Sequence, residues 1–186
     1  MTIDQIVDEV IALLTHSGGE QYFGEAVTKL EHAEQCAWLA RQAGADEELV
    51  IAALLHDIGH LLDTDESRRD ERVGVVNHDV IGQRWLLERG FSPRVGALVG
   101  AHVDAKRYLT ATNAGYMERL SPASQETLRL QGGPMDESSA AAFALDPDLR
   151  DKLRLRAWDE SAKDRAWRGP GIGEYRDIML RHLQQR

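Results

Sequence analysis

The sequence predicts an all-α fold in a single domain, a helical bundle. Apolar residues recur at helical spacing from the first turn onward. No segment alternates convincingly with the period of a strand. The breaks fall at helix punctuation, with glycine after apolar stripes and Ser-Pro or Asp-Pro before them. A chain of 186 residues is long enough to bury roughly 70% of its unfolded surface around one core.

The elements follow in order. Ile3, Ile6, Val7, Val10 and Leu14 form an i, i+3, i+4, i+7 stripe, which predicts a helix over residues 3–15, stopped by Ser17-Gly18-Gly19. A second helix is expected from about Glu25 to Ala43, with Gly44 as its C′ residue. Asp46 reads as the N-cap of a third, with Glu47 and Glu48 in its first turn and LVIAALLHDIGH as its body. Residues 62–76 are polar and broken, a loop. A fourth helix fits 77–89 and stops at Gly90, and Ser92-Pro93 opens a fifth that runs to about Tyr108. Ser121-Pro122 and Asp146-Pro147 repeat that opening, the latter before LRLRAWDE. Gly132-Gly133-Pro134 is a break, and a last helix spans 174–184.

Composition excludes several classes. With 22 Lys+Arg against 31 Asp+Glu the formal net charge is −9, which argues against nucleic acid as a partner, since such binding needs a basic face. No apolar run reaches the length of about 18 residues that a membrane helix needs, so no membrane partner is expected. MTIDQIVDEV is acidic and amphipathic, unlike a signal peptide. The single cysteine rules out a disulfide framework and points to a reducing, cytoplasmic compartment.

The chemistry lies in the histidines. His56-Asp57 and His60 sit between AALL and LL, and the pair His56 and His60 would share one helix face. Ionisable groups in so apolar a setting are costly without partners, and a metal ion is one partner that removes the cost. An exposed helix end is the bland alternative. His32, His78, His102 and Asp159 add one candidate ligand each from four further segments, next to apolar stripes. Any one of them alone would more often be a satisfied core or surface residue. Together with His56 and Asp57 they are too many for one metal with an open position. They suit two, with Asp57 as the bridge.

The order His32, His56-Asp57, Asp159 resembles the H…HD…D signature of HD-domain metalloproteins. With His78 and His102 added, it is similar to the two-metal members. YFGEAVTKLEH (22–32), AALLHDIGH (52–60), GAHVDAKRYL (100–109), QGGPMDE (131–137) and RAWDE (156–160) together resemble the PhnZ-type HD-domain oxygenases, relatives of myo-inositol oxygenase. Those enzymes cleave carbon–phosphorus bonds with a mixed-valence di-iron centre.

The resemblance implies a single HD domain over residues 1–186 and two iron ions (Fe2+/Fe3+), with dioxygen as co-substrate. One iron would be held by His32, His56, Asp57 and Asp159, and the other by Asp57, His78 and His102. Tyr22 would occupy the second iron before substrate arrives, and Glu25 would face the substrate's amine end. His60, Lys106, Ser124, Thr127 and Arg156 match the phosphonate-binding positions. Each has a plain alternative: Tyr22 a loop aromatic packed on the core, Glu25 a first-turn helix acid, and Arg156 half of a solvated pair with Glu160. The small-molecule substrate implied is a 1-hydroxyphosphonate with a 2-amino or 2-trimethylammonio group, giving phosphate and glycine or glycine betaine. Tyr22, Phe23 and Tyr108 are the aromatics available to a quaternary ammonium. The runner-up is an HD-type phosphohydrolase, in which a metal-bound water attacks a nucleotide or other phosphate ester. A metal-free binding module is disfavoured by the complete ligand set.

Overall fold

The computed structural model describes residues 1–22, 24–72 and 74–185, and it is an all-α bundle. The first helix, α1 (Ile3–His16), buries Val7, Val10 and Leu14 as expected. The second, α2 (Lys29–Gln42), starts later than predicted. Its start is a capping box: the Thr28 hydroxyl accepts from Glu31 N at 3.1 Å and the Glu31 carboxylate from Thr28 N at 2.8 Å. The described residues among 20–28 are not helical. Gln21 and Thr28 form an isolated antiparallel bridge, and Glu25 N donates to the Tyr22 carbonyl at 2.8 Å.

Helix α3 (Glu47–Leu55) is capped by Asp46, and every residue from Leu49 to Leu55 is buried. A helix apolar on all faces belongs at the centre of a core, and α3 packs against α2, α5 (Pro93–Gly100), α10 (Leu149–Ser161) and α11 (Arg176–Gln184). The prediction that this helix runs through His60 is corrected. It ends at Leu55, and after Asp57 (φ −99°, ψ 8°) a 3₁₀ turn covers Ile58–Leu61. His56 and His60 therefore do not share a helix face.

The expected loop over 62–76 carries a small hairpin, β1 (Arg69–Asp70) paired antiparallel with β2 (Gly74–Val75). Strands of two residues are too short to leave a period in the sequence. Helix α4 (His78–Glu88) follows. The predicted fifth helix is two, since the chain breaks at Ala101 (φ −101°, ψ −2°) between α5 and α6 (His102–Thr112). Two short helices were not anticipated, α7 (Tyr116–Arg119) and α9 (Glu137–Phe143), the latter capped by Asp136 of the GPMDE segment. Between them α8 (Pro122–Leu130) is capped by Ser121 as read, and Gly132 and Gly133 break the chain at φ +99° and +70°, where other residues would be strained. Asp146-Pro147 opens α10 two residues later than expected. The last helix, α11, is preceded by a 3₁₀ turn over Ile172–Tyr175. Among the described residues no helix is long and apolar enough to cross a membrane.

Candidate metal centre and anion pocket

The histidines meet where α2, α4, α6 and the end of α3 converge. His32, His56, His78 and His102 are all buried. Each presses its Nδ1 against a backbone carbonyl: His32 on Ala162 at 2.9 Å, His56 on Ala53 at 2.9 Å, His78 on Val75 at 2.8 Å and His102 on Val99 at 2.7 Å. A carbonyl has no hydrogen to give, so each Nδ1 carries a proton and each ring turns its Nε2 inward. Three acceptors lie at helix ends, where the last carbonyls lack intrahelical partners. The breaks at His56 and Ala101 place side chains on those carbonyls, and such an arrangement fixes and strengthens an imidazole ligand.

The Nε2 atoms converge in two pairs, His32 with His56 at 3.2 Å and His78 with His102 at 2.9 Å. Two ring nitrogens at that distance must share a proton or have a cation beside them. The Asp57 carboxylate spans the two pairs. Its Oδ1 is 3.2 Å from His78 Nε2 and 3.5 Å from His102 Nε2, while its Oδ2 is 3.4 Å from His56 and 3.8 Å from His32. Asp159 Oδ1 joins the second group, 3.3 Å from His32 Nε2 and 3.8 Å from His56 Nε2. Asp57 Oδ2 is buried without a hydrogen-bond partner, a cost that an ion would remove. The donors thus divide into two nests sharing one carboxylate, and both fit a hard or borderline divalent cation.

The electrostatics agree. Burial alone would raise the Asp57 and Asp159 carboxyls, but for Asp57 the His56 and His78 rings, and for Asp159 the Arg156 guanidinium and the His32 ring, hold them well below the usual range. The same carboxylates overcome burial at His56 and lift it to about 9, whereas burial and the neighbouring His78 drive His102 down to about 3. Two buried anions call for positive charge, and a bound cation supplies it without protonating a ligand. Cys36 also brings its sulfur near His32 and His56. Burial and the two carboxylates push its thiol well above its ordinary value.

A cavity of about 40 Å³ opens on the Asp57, His78 and His102 side. His60, Lys106, Ser124, Thr127 and Arg156 all line it, so the structure brings together every residue expected at the anion. The buried Lys106 Nζ donates to Thr127 Oγ1 at 2.8 Å and to Gln131 Oε1 at 2.6 Å, and burial with the nearby Arg156 lowers it to about 7. Arg156 donates to Asp159 Oδ2 at 2.5 Å and, from Nε, to Glu160 at 2.9 Å and the Tyr116 hydroxyl at 3.1 Å, leaving a buried Nη2 unbonded. Ser124 and Thr127 face the cavity from one side of α8. His60 stacks on His78 with ring centroids 3.8 Å apart, and burial pushes it well below its ordinary value.

Tyr22 lines the same cavity, stacked on His32 at 4.4 Å between ring centroids. Burial and the Asp57 and Asp159 charges raise its hydroxyl well above 10.0. Glu25 lies behind it and outside the cavity lining, paired with Lys163 at 2.6 Å. Tyr108 packs on Phe143 at 5.2 Å and lines a separate groove with Met135, and Phe23 lies outside the described residues. Sequence reasoning missed Gln131, Tyr116 and Lys163. Gln131 stood in the quoted QGGPMDE segment and Lys163 four residues past Asp159, but Tyr116 carried no signal. Of the histidines without an expected role, His182 accepts from Ser92 N at 3.1 Å at the start of α5, and His16 is exposed.

The HD-domain family matches residues 30–146. The chain is 37% identical over 188 residues to the [1-hydroxy-2-(trimethylamino)ethyl]phosphonate dioxygenase (glycine-betaine-forming) of Leisingera caerulea, covering 97% of this chain and 91% of that protein. It is 39% identical over 163 residues to the hydroxymethylphosphonate dioxygenase of Gimesia maris, covering 87% and 81% respectively. An uncharacterized protein of Acanthamoeba polyphaga mimivirus is 35% identical over 184 residues, covering 98% and 84%. Two nests sharing one aspartate beside a cavity lined by Lys106 and Arg156 suit such chemistry, and the chain belongs to the HD-domain family, in the oxygenase branch that holds the phosphonate dioxygenases.

Proposed function

We propose that this protein uses dioxygen to cleave the carbon–phosphorus bond of a small 1-hydroxyphosphonate, releasing phosphate and a carboxylic acid. The observation that carries the reading is the division of donors across the two oxygens of Asp57, with Lys106 and Arg156 in the adjoining cavity. His32, His56, Asp57 and Asp159 would hold one iron and Asp57, His78 and His102 the other. When bound, the irons supply dioxygen activation and the one-electron steps that a closed-shell side chain cannot.

The chain's own residues do the rest. Lys106 and Arg156 neutralise the phosphonate, Arg156 with its unbonded Nη2 and Lys106 as a point charge. The Ser124 and Thr127 hydroxyls and the neutral His60 ring add hydrogen bonds that fix the phosphorus end. With that end fixed, the C1–H bond has one orientation relative to the metal nests. Tyr22 covers the cavity, which is too small for the substrate until its ring moves aside. By stoichiometry one dioxygen accounts for both oxygens gained, one by carbon and one by phosphorus, with no external reductant. A 2-amino substrate would yield glycine, a 2-trimethylammonio substrate glycine betaine, and hydroxymethylphosphonate formate. The lone buried thiol of Cys36 fits a reducing cytoplasm.

The test is phosphate release from these 1-hydroxyphosphonates by iron-loaded protein with and without oxygen. Release should require oxygen and match its uptake one to one. Equal release under anaerobic conditions would overturn the reading in favour of a phosphohydrolase.

A further inference from the structure

Glu25 and Lys163 form a largely shielded ion pair, with side chains 11% and 19% exposed and Nζ 2.6 Å from Oε1. The Ser121 hydroxyl donates to the same carboxylate oxygen at 2.6 Å and lies 3.3 Å from Lys163 Nζ. The pair abuts the cavity without lining it. Glu25 N is bonded to the Tyr22 carbonyl, and Ser121 Oγ accepts from Ser124 N at 3.1 Å. Tyr22 and Ser124 are both cavity walls.

We propose that Lys163 is the resident counter-ion of Glu25 and a specificity-determining residue, turning the site toward 1-hydroxyphosphonates that lack a cationic tail. The proposal rests on the C–P cleavage reading above. The resemblance would assign Glu25 to the amine end of a substrate that carries one. Here that acid already accepts a charge-assisted bond from Lys163 and a second from Ser121. Lys163 is tethered a few residues past α10, so its effective concentration at Glu25 far exceeds that of a dissolved substrate. A primary ammonium must displace it to reach the carboxylate. A trimethylammonium has no N–H to replace the bonds it breaks, and it would look to aromatic faces instead. Among the described residues Tyr108 faces another groove.

Iron-loaded wild type, Lys163→Met, Lys163→Arg and Glu25→Gln are compared on hydroxymethylphosphonate and 2-amino-1-hydroxyethylphosphonate. Two measurements are made: kcat/KM for phosphate release in air, and Kd by equilibrium dialysis without oxygen. Wild type should prefer the uncharged tail. Lys163→Met should move the ratio of the two kcat/KM values toward the ammonium substrate by about tenfold or more, through KM and Kd rather than kcat. Lys163→Arg should restore the wild-type ratio, and Glu25→Gln should not gain the ammonium preference. General damage to the fold lowers both substrates together and leaves the ratio alone. A wild type that already prefers the ammonium substrate, or a Lys163→Met ratio unchanged in both measurements, overturns the proposal. Absence of phosphate from both substrates in air overturns the cleavage reading instead, and the Kd ratio still tests Lys163.

Discussion

Gly59 lies against the backbone of His78: a Cβ on Gly59 would come 2.0 Å from the His78 carbonyl oxygen and 2.9 Å from its Cα. The 3₁₀ turn after Asp57 and the start of α4 therefore touch main chain to main chain, and only a residue without a side chain permits it. Because the obstructing atoms are backbone, Gly59→Ala must push α4 away. The expected loss is about 2 kcal/mol of stability, with loss of metal from the His78 and His102 nest. Urea unfolding and iron analysis check both. Unchanged stability with two irons retained would show that the contact is slack.

Asp57 contributes one oxygen to each nest. Asp57→Ala should therefore empty both nests, taking iron content from two per chain toward zero by elemental analysis. Retention of two irons would refute the bridge.

Lys106 reaches into the cavity from α6 and touches Thr127 and Gln131, not the histidine nitrogens. Lys106→Ala should raise KM for a 1-hydroxyphosphonate by roughly tenfold or more while iron content stays that of wild type. Loss of metal would show that Lys106 supports the ligand shell instead.

The same lysine sets a pH dependence. Burial and Arg156 lower it from the ordinary 10.5 to about 7, so it is a cation below that pH and neutral above. Phosphonate affinity should fall as pH rises through about 7, read as Kd under anaerobic conditions. Lys106→Arg, charged throughout, should flatten that fall. Stability runs the other way. The folded state binds fewer protons than the unfolded between about 7 and 10.5, so the burial penalty is full below that window and relieved as pH rises through it. Lys106→Met should stabilise most at the acidic end.

Thr28 and Glu31 close the box that starts α2. Thr28→Ala should cost about 1 kcal/mol in thermal or denaturant unfolding, and a change near zero would show that packing of His32 and Cys36 alone holds that end.

Much of the site was legible because buried imidazoles and carboxylates interrupt apolar stripes, and a chain seldom tolerates that without use. His32, His78, His102 and Asp159 were found in this way. The local backbone around them was not. AALLHDIGH carries a stop signal only at Gly59, yet the helix already ends at Leu55, where His56 reaches the Ala53 carbonyl. In VGAHVDA only Gly100, a residue helices tolerate, marks the break at Ala101. These are tertiary demands overriding propensity. The box at Thr28-Lys29-Leu30-Glu31 was readable, but the acid at Glu25 looked like an earlier start. Lys163 was passed over because a lysine just past a helix end reads as solvated, and only the folded chain brings it to Glu25.

The Nδ1 hydrogen bonds carry a consequence for how the centre is assembled. His56, His78 and His102 each bond a carbonyl only three residues back, so their rings are oriented by short-range contacts. His78 and His102 form one nest with Asp57, and together with His56 they lie within a continuous stretch of 47 residues, from His56 to His102. His32 instead waits for Ala162, separated by 130 residues, and Asp159 arrives with the same late segment. One half of the centre can be templated while the chain is still being made, and the other closes only when the C-terminal third has docked. Long-range closure is the slow part of folding, so the two halves differ in when they come to exist.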